Sequence, residues 1–330
     1  MSRHVLITGG LGFIGSHVAD AFLADGWRVT IVDSMITAVT DGAEFDVQPG
    51  CHVVRMPVEE LLAMGAAPHA YDLVVHAASL VGPAGILAYA GRLGARIVRS
   101  TEAVLDACGA AGIPVCVFSS AEVYGRSGAL AEEDDLLVPT AYNARIEYAV
   151  GKTLVEAMTV NRRHEGLRGI VIRPFNVAGP RQSEAGGFVM PTFVQQALAG
   201  APLTVFAGGA QVRTFVAAAD VARFLTRHLH AALAGPDPIV NLGNPENQTT
   251  VLGLAERVRT LLGSDSEIHF VDGKAIHGPR YEEAMSVVKQ PVLGAATRLG
   301  WRPEIGLDAL IESTADHYLQ QSARAAEHAL

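Results

Sequence analysis

The chain has little cysteine, no run of basic residues and no apolar stretch long enough to cross a bilayer. Its three cysteines, Cys51, Cys108 and Cys116, cannot all pair. Cys108 and Cys116 sit in apolar sequence, so they read as buried free thiols in a reducing cytoplasm, not as a disulfide framework. A net charge of −9 without Lys/Arg clusters argues against a nucleic-acid surface. The chain opens on a strand-like run where an export signal would be charged and then apolar, so neither membrane nor secretion is expected. There is no internal repeat. What remains is 330 residues, 49% of them apolar, enough for a sizeable core in one large or two modest domains.

The chain is organised around residues 8–15, TGGLGFIG. The apolar run His4-Val5-Leu6-Ile7 before it has the character of a buried parallel strand, and residues 16–23 after it carry apolar side chains at helical spacing. In such a strand–turn–helix, Gly9 permits the tight turn, Gly12 lets backbone approach a pyrophosphate, and Gly15 lets the helix sit against the strand. The helix N-terminus then faces the anion, and Phe13 and Ile14, in the turn leading into it, are further cofactor-binding candidates. Asp33 closes the next apolar run, where a carboxylate suits the ribose hydroxyls of an adenosine.

Apolar runs at 4–8, 28–33, 52–54, 72–76, 114–119 and 168–173 alternate with helical segments at 16–25, 96–111 and 145–164, and residues 239–242 add a seventh strand. The expected fold is therefore α/β, a Rossmann-type doubly wound parallel sheet of about seven strands. Helices near 188–199, 252–263 and 307–323 and a strand near 267–271 build a smaller, discontinuous α/β domain. The predicted division is 1–175 plus 212–243 for the dinucleotide domain and 176–211 plus 244–330 for the substrate domain.

Ligands of such sheets bind beyond the carboxyl ends of the strands. The residues there are Gly9 to Gly15, Asp33, His76-Ala77-Ala78-Ser79, Ser119-Ser120-Ala121-Glu122 and Pro174-Phe175-Asn176. Ala77 and Ala78 are small enough for a cofactor to lie on their backbone, while His76 reads as a packed strand-end histidine. Ser119 and Ser120 bring hydroxyls to a strand end. Glu122, in apolar company, is expected to have a raised pKa and to serve as a base. The acidic run Glu132-Glu133-Asp134-Asp135 reads as a solvated loop. Tyr148 and Lys152 are four apart on one helix face, where an ammonium would draw the phenol's pKa down and make it a general base. Arg181, Arg213 and Arg280 are candidates for a two-pronged hold on a diphosphate.

Taken together, TGGLGFIG, Asp33, SSAEVYG, YAVGK and RPFNVAGPR resemble the extended short-chain dehydrogenase/reductases that act on nucleotide sugars. The resemblance continues through QVRTF, VNLGNPEN and LGWRPEI, over nearly the whole chain. It implies tightly held NAD, with Ser119, Pro174 and Val58 among its contacts; Pro57-Val58 replaces the family's usual Asp-Val/Ile pair at the adenine, leaving apolar or backbone contacts there. Asp33 implies NAD over NADP, since a 2′-phosphate would meet a carboxylate. It further implies Ser120 as catalytic hydroxyl, Tyr148 as base and Lys152 as its partner, with Glu122 acting at C5 of a transient 4-keto sugar. Ser79, Asn176, Phe206, Arg213 and Arg280 would bind a UDP-sugar, and a homodimer would form through helices 96–111 and 145–164. The expected enzyme is of the epimerase/dehydratase type, with UDP-glucuronate decarboxylase as the alternative and a non-enzymatic dinucleotide sensor as a further one. Ala121 and Val288 stand where the decarboxylases carry serine and arginine.

Overall fold

In the computed structural model, which describes residues 2–65, 70–125, 128–136, 142–277 and 288–328, the apolar runs form one parallel sheet. Its strands are β1 (His4–Thr8), β2 (Arg28–Asp33), β3 (Cys51–Arg55), β4 (Leu73–His76), β5 (Val115–Phe118), β6 (Gly169–Pro174) and β7 (Ile239–Leu242). They lie in the order β3-β2-β1-β4-β5-β6-β7, all parallel. Val5, Ile7, Ile31, Val75, Val117 and Ile172 are fully buried, as strands covered on both faces must be. Strand order reverses between β1 and β4, so their outgoing loops diverge and leave a crevice.

Helices α1 (Phe13–Ala24), α2 (Leu93–Ala111), α3 (Ala144–His164) and α4 (Ala218–Arg227) flank the sheet. Val18 and Phe22 of α1 join Val221 and Phe224 of α4 in one apolar layer; Ile97, Val104 and Leu105 of α2 join Tyr148 and Val155 of α3 in the other. The α3 helix starts cleanly because the Asn143 side chain accepts from the Ile146 N–H at 2.8 Å, a cap that stabilises by about 1 kcal/mol. Its last turn carries Arg162, Arg163 and His164, which suit the negative end of the dipole.

A third apolar cluster gathers Met190, Phe193, Val205, Phe215, Leu254 and Leu310. The strand expected near 267–271 is Ile268–Val271, paired in parallel with Leu203–Phe206 in a small sheet of its own. Another short strand, Lys289–Pro291, pairs in parallel with Gly128–Leu130 and so returns the late chain to the segment after β5. The acidic run is not simply solvated, as its composition suggested. Glu132 turns inward, its carboxylate accepting from the Asn241 N–H at 3.0 Å and the Ala295 N–H at 3.3 Å. No helix among the described residues is long and apolar enough to cross a membrane.

Candidate active site

The glycine turn is built by exclusion. Gly9 has φ +70°, and a β-carbon on it would lie 2.6 Å from the Ala78 Cα; one on Gly15 would lie 2.0 Å from the Gly9 carbonyl oxygen. Both distances are far below van der Waals contact, so only glycine lets β1, α1 and the end of β4 come together here. Asp33 is buried, its two oxygens accepting from the Leu11 N–H at 3.0 Å and the Met35 N–H at 2.8 Å. The carboxylate is thereby fixed while keeping lone pairs for a hydroxyl. Gly12, Phe13, Ile14, Val58, Ala77 and Ala78 line the same cleft. So does Ser79, whose buried hydroxyl has no partner among the described residues. A cradle closed to side chains, a fixed carboxylate and an unpaired hydroxyl fit a dinucleotide such as NAD.

Tyr148 projects from α3 into this cleft beside Ser120. Burial pushes its phenol well above the usual tyrosine range; a hydrogen bond with Ser120 works the other way and Glu122 adds to the rise. The expected lowering by Lys152 is not found. The ammonium lies 5.9 Å from the ring centroid and donates instead to the Phe118 carbonyl at 2.7 Å. Burial also brings Lys152 down to about 8, with Glu156 opposing the fall. The two side chains share a face, as their spacing required, but each is dominated by desolvation.

Glu122 reverses the expectation of a raised pKa. Burial alone would raise it, but Lys289 and Arg145, with a smaller effect from Arg213, bring it down to about 2. Lys289 makes a short contact with its carboxylate, and Arg145 stands 3.4 Å from the same oxygen. Neither cation was predicted. Arg145 was legible as a basic residue one turn before Tyr148 on the same helix; Lys289 was not, because only the Gly128–Leu130 pairing brings it across 167 residues of sequence.

Beneath these groups lies a second polar layer that sequence reasoning also missed. Glu156 and Arg173 form a two-pronged ion pair at 2.9 and 2.7 Å, their side chains only 3% and 1% exposed. Ser119 donates to Glu156 at 2.5 Å. Arg173 donates to the Tyr124 hydroxyl at 2.9 Å, which donates to Asn241 at 2.8 Å. Glu156 could have been noticed one turn after Lys152, on the buried face of the helix.

His76 is the packed strand-end residue expected. It accepts from Thr8 at 2.7 Å, donates to Thr101 at 3.1 Å, and burial lowers it to about 3. Asn176, Phe206, Arg213, Ser119 and Pro174 line the cleft. Asn176 also donates to the Thr214 carbonyl at 3.1 Å. Arg181 departs from its expected role: it is absent from the described cleft lining and pairs with Asp20 at 2.6 Å and Glu44 at 3.7 Å. Asp20 on α1 and Glu44 in the short helix Ala43–Asp46 attract its charge. Arg280 lies outside the described residues.

One continuous cleft of about 1700 Å³ runs from the glycine turn past Tyr148 to Phe206. The model of the NAD dependent epimerase/dehydratase family matches residues 5–243. UDP-glucuronic acid decarboxylase 1 of Xenopus tropicalis is 30% identical over 324 residues, 97% of this chain and 72% of that protein. UDP-N-acetyl-alpha-D-glucosaminuronate decarboxylase of Bacillus cytotoxicus is 29% identical over 287 residues, 86% of this chain and 88% of its own. In fold, the chain is similar to the UDP-glucose 4-epimerase of Thermotoga maritima, solved with UDP-glucose. The TM-score is 0.82 at 23% identity, over 97% of this chain and all of that one.

Proposed function

This chain belongs to the NAD-dependent epimerase/dehydratase family and is an NAD-dependent nucleotide-sugar enzyme, and from that premise we propose that it acts on a UDP-sugar bearing a C5 carboxylate, releasing CO2 by way of a transient 4-keto sugar. The observation that carries this reading is the charge around Glu122: one carboxylate under the influence of three cations, Lys289, Arg145 and Arg213. Lys289 and Arg145 can answer two carboxylates, that of Glu122 and that of the sugar, and Arg213, on the cleft lining, would face the diphosphate. The acidic sugars named for the two decarboxylase relatives support the same substrate class.

Bound NAD supplies the acceptor and donor of hydride at C4. Gly9, Gly12, Gly15 and Asp33 would hold its adenosine half, and Lys152 its nicotinamide ribose. Tyr148 takes the proton of the sugar 4-hydroxyl, and Ser120 hydrogen-bonds the same oxygen. A phenol buried this deeply ionises only beside positive charge, and Lys152 is the resident cation. A ketone at C4 makes the C5 carboxylate a β-keto acid. Its C–C bond breaks, CO2 leaves, and the electron pair passes into a C4 enolate that regains a proton at C5. Glu122, kept ionised, orients the C5 substituent and does not take a proton from it. Asn176 and Phe206 line the cleft on the nucleotide side.

The same reading includes a homodimer through α2 and α3. Val150 and Leu154 on α3 are 40% and 47% exposed, and a second copy of that face would cover them; light scattering reads the mass. For the chemistry, NAD-loaded protein is incubated with UDP-glucuronate and UDP-N-acetylglucosaminuronate, with UDP-glucose as the uncharged comparison. Loss of CO2 by mass spectrometry is expected from an acidic sugar. An unchanged mass with a new NMR spectrum, or loss of water from UDP-glucose, would mark an epimerase or a dehydratase and overturn the decarboxylase reading. Tyr148→Phe should lower turnover by about 10²–10⁴-fold; full turnover in that variant removes the mechanism.

A further inference from the structure

The buried layer under the cleft grips the chain at two points. Ser119 is held through Glu156, and Tyr124 is held by Arg173 directly. The Arg173 guanidinium also lies 4.8 Å from the centroid of the Tyr124 ring. Between these points the segment presents Ser120 and Glu122 to the cleft. One residue before it, the Phe118 carbonyl accepts from Lys152. One turn further along α3, the same helix face that carries Lys152 carries Glu156.

We propose that Glu156 and Arg173 form a positioning clamp, which holds both ends of the 119–124 segment and so fixes Ser120 and Lys152 relative to Tyr148. The proposal rests on reading Ser120, Tyr148 and Lys152 as the proton-handling group. Stability alone gives little reason for such a pair. An apolar pair of similar volume often serves a fold as well or better, because two charges need not then be stripped of water. The geometry supplies the reason: a forked guanidinium can hold a carboxylate and a phenol hydroxyl together in fixed directions. Electrostatics adds a second effect. The groups facing Lys152 are His76 from β4, the Phe118 carbonyl at the end of β5, and Tyr148 and Glu156 from α3 itself. His76 is neutral, so Glu156 supplies the negative charge that opposes loss of the Lys152 proton.

The chain has only three lysines, Lys152, Lys274 and Lys289, so lysine labelled with ¹³C at Cε gives three side-chain signals. Lys274→Arg and Lys289→Arg identify them in NAD-loaded protein. Glu156→Gln should move the Lys152 titration midpoint down by about one pH unit, and Glu156→Asp should restore most of it. Should Glu156→Gln fail to fold, the double variant Glu156→Gln/Arg173→Met removes both charges together and should show a smaller downward shift, since Glu156 lies nearer to Lys152 in sequence and face than Arg173 does. Ser119→Ala keeps the charges and releases one end of the segment. Its kcat should fall about tenfold with KM unchanged, as expected for misplacement of a reacting group. An unmoved Lys152 midpoint in whichever charge variant folds, or a wild-type kcat in Ser119→Ala, overturns the clamp. Full turnover in Tyr148→Phe overturns the proton-handling assignment instead and would leave the Lys152 shift in place, so the two failures are distinguishable.

Discussion

Two polar layers lie within a few residues of each other and are built on opposite rules. In the lower one, Glu156 meets Arg173 one to one, and Ser119, Tyr124 and Asn241 complete the bonding. It is sealed from water. In the upper one, Glu122 is only partly buried, with 18% of its side chain exposed, and among the described residues two cations, Lys289 and Arg145, contact its one carboxylate. A balanced, closed network has nothing left to offer a ligand and acts on geometry. A partly open site with excess positive charge favours an incoming anion. The same residue types thus take different parts according to whether their charges cancel.

The contrast can be broken at either layer. Arg173→Ala leaves Glu156 buried without its paired guanidinium, and should cost about 3–5 kcal/mol of stability, read from denaturant unfolding. Lys289→Met, in the upper layer, should behave differently. Arg145 still faces Glu122, so stability should change by no more than about 1–2 kcal/mol. The KM for an acidic UDP-sugar should rise at least about tenfold, and that for an uncharged one should not move. A large stability loss with no KM effect would make the upper layer a second structural pair. The smallest effect is in pH. Lys152 has its midpoint near 8 in place of the usual 10.5, so it is charged below about 8 and neutral above. Turnover that needs the ammonium should therefore fall as pH rises through about 8. Stability should move the other way: between 8 and 10.5 the unfolded chain holds the proton that the folded chain has released, so the burial penalty fades as pH rises. A kcat profile level from pH 7 to 10 would remove Lys152's charge from the chemistry.

Much of the architecture was readable because it rests on local pattern. Continuous apolar runs such as residues 28–33 and 239–242 can hardly be anything but covered strands in a chain of alternating helices. The turn at Gly9 and Gly15 was readable for a related reason, since close backbone approach demands a residue type visible in one dimension. Tyr148 and Lys152 followed from helical spacing. The misreadings share a cause as well. Glu132 looked like part of an acidic loop, yet it is drawn inward by N–H groups on Asn241 and Ala295, more than a hundred residues away. Glu122 was expected to have a raised pKa because the cations that lower it, one of them Lys289, could not be located from spacing. Lys152 was paired with the neighbour its spacing suggested, while its actual hydrogen bond goes to a carbonyl on β5. Local rules find elements; the sign of a pKa shift depends on contacts made across the fold.

The burial of Lys152 and Lys289 has a practical consequence. Lys274 is the only lysine with an exposed side chain, so it is the lysine that an amine-reactive reagent should label in the native protein. Any further lysine labelling would then report the opening of the region around Phe118 and Glu122, giving a chemical readout of local unfolding without an engineered probe.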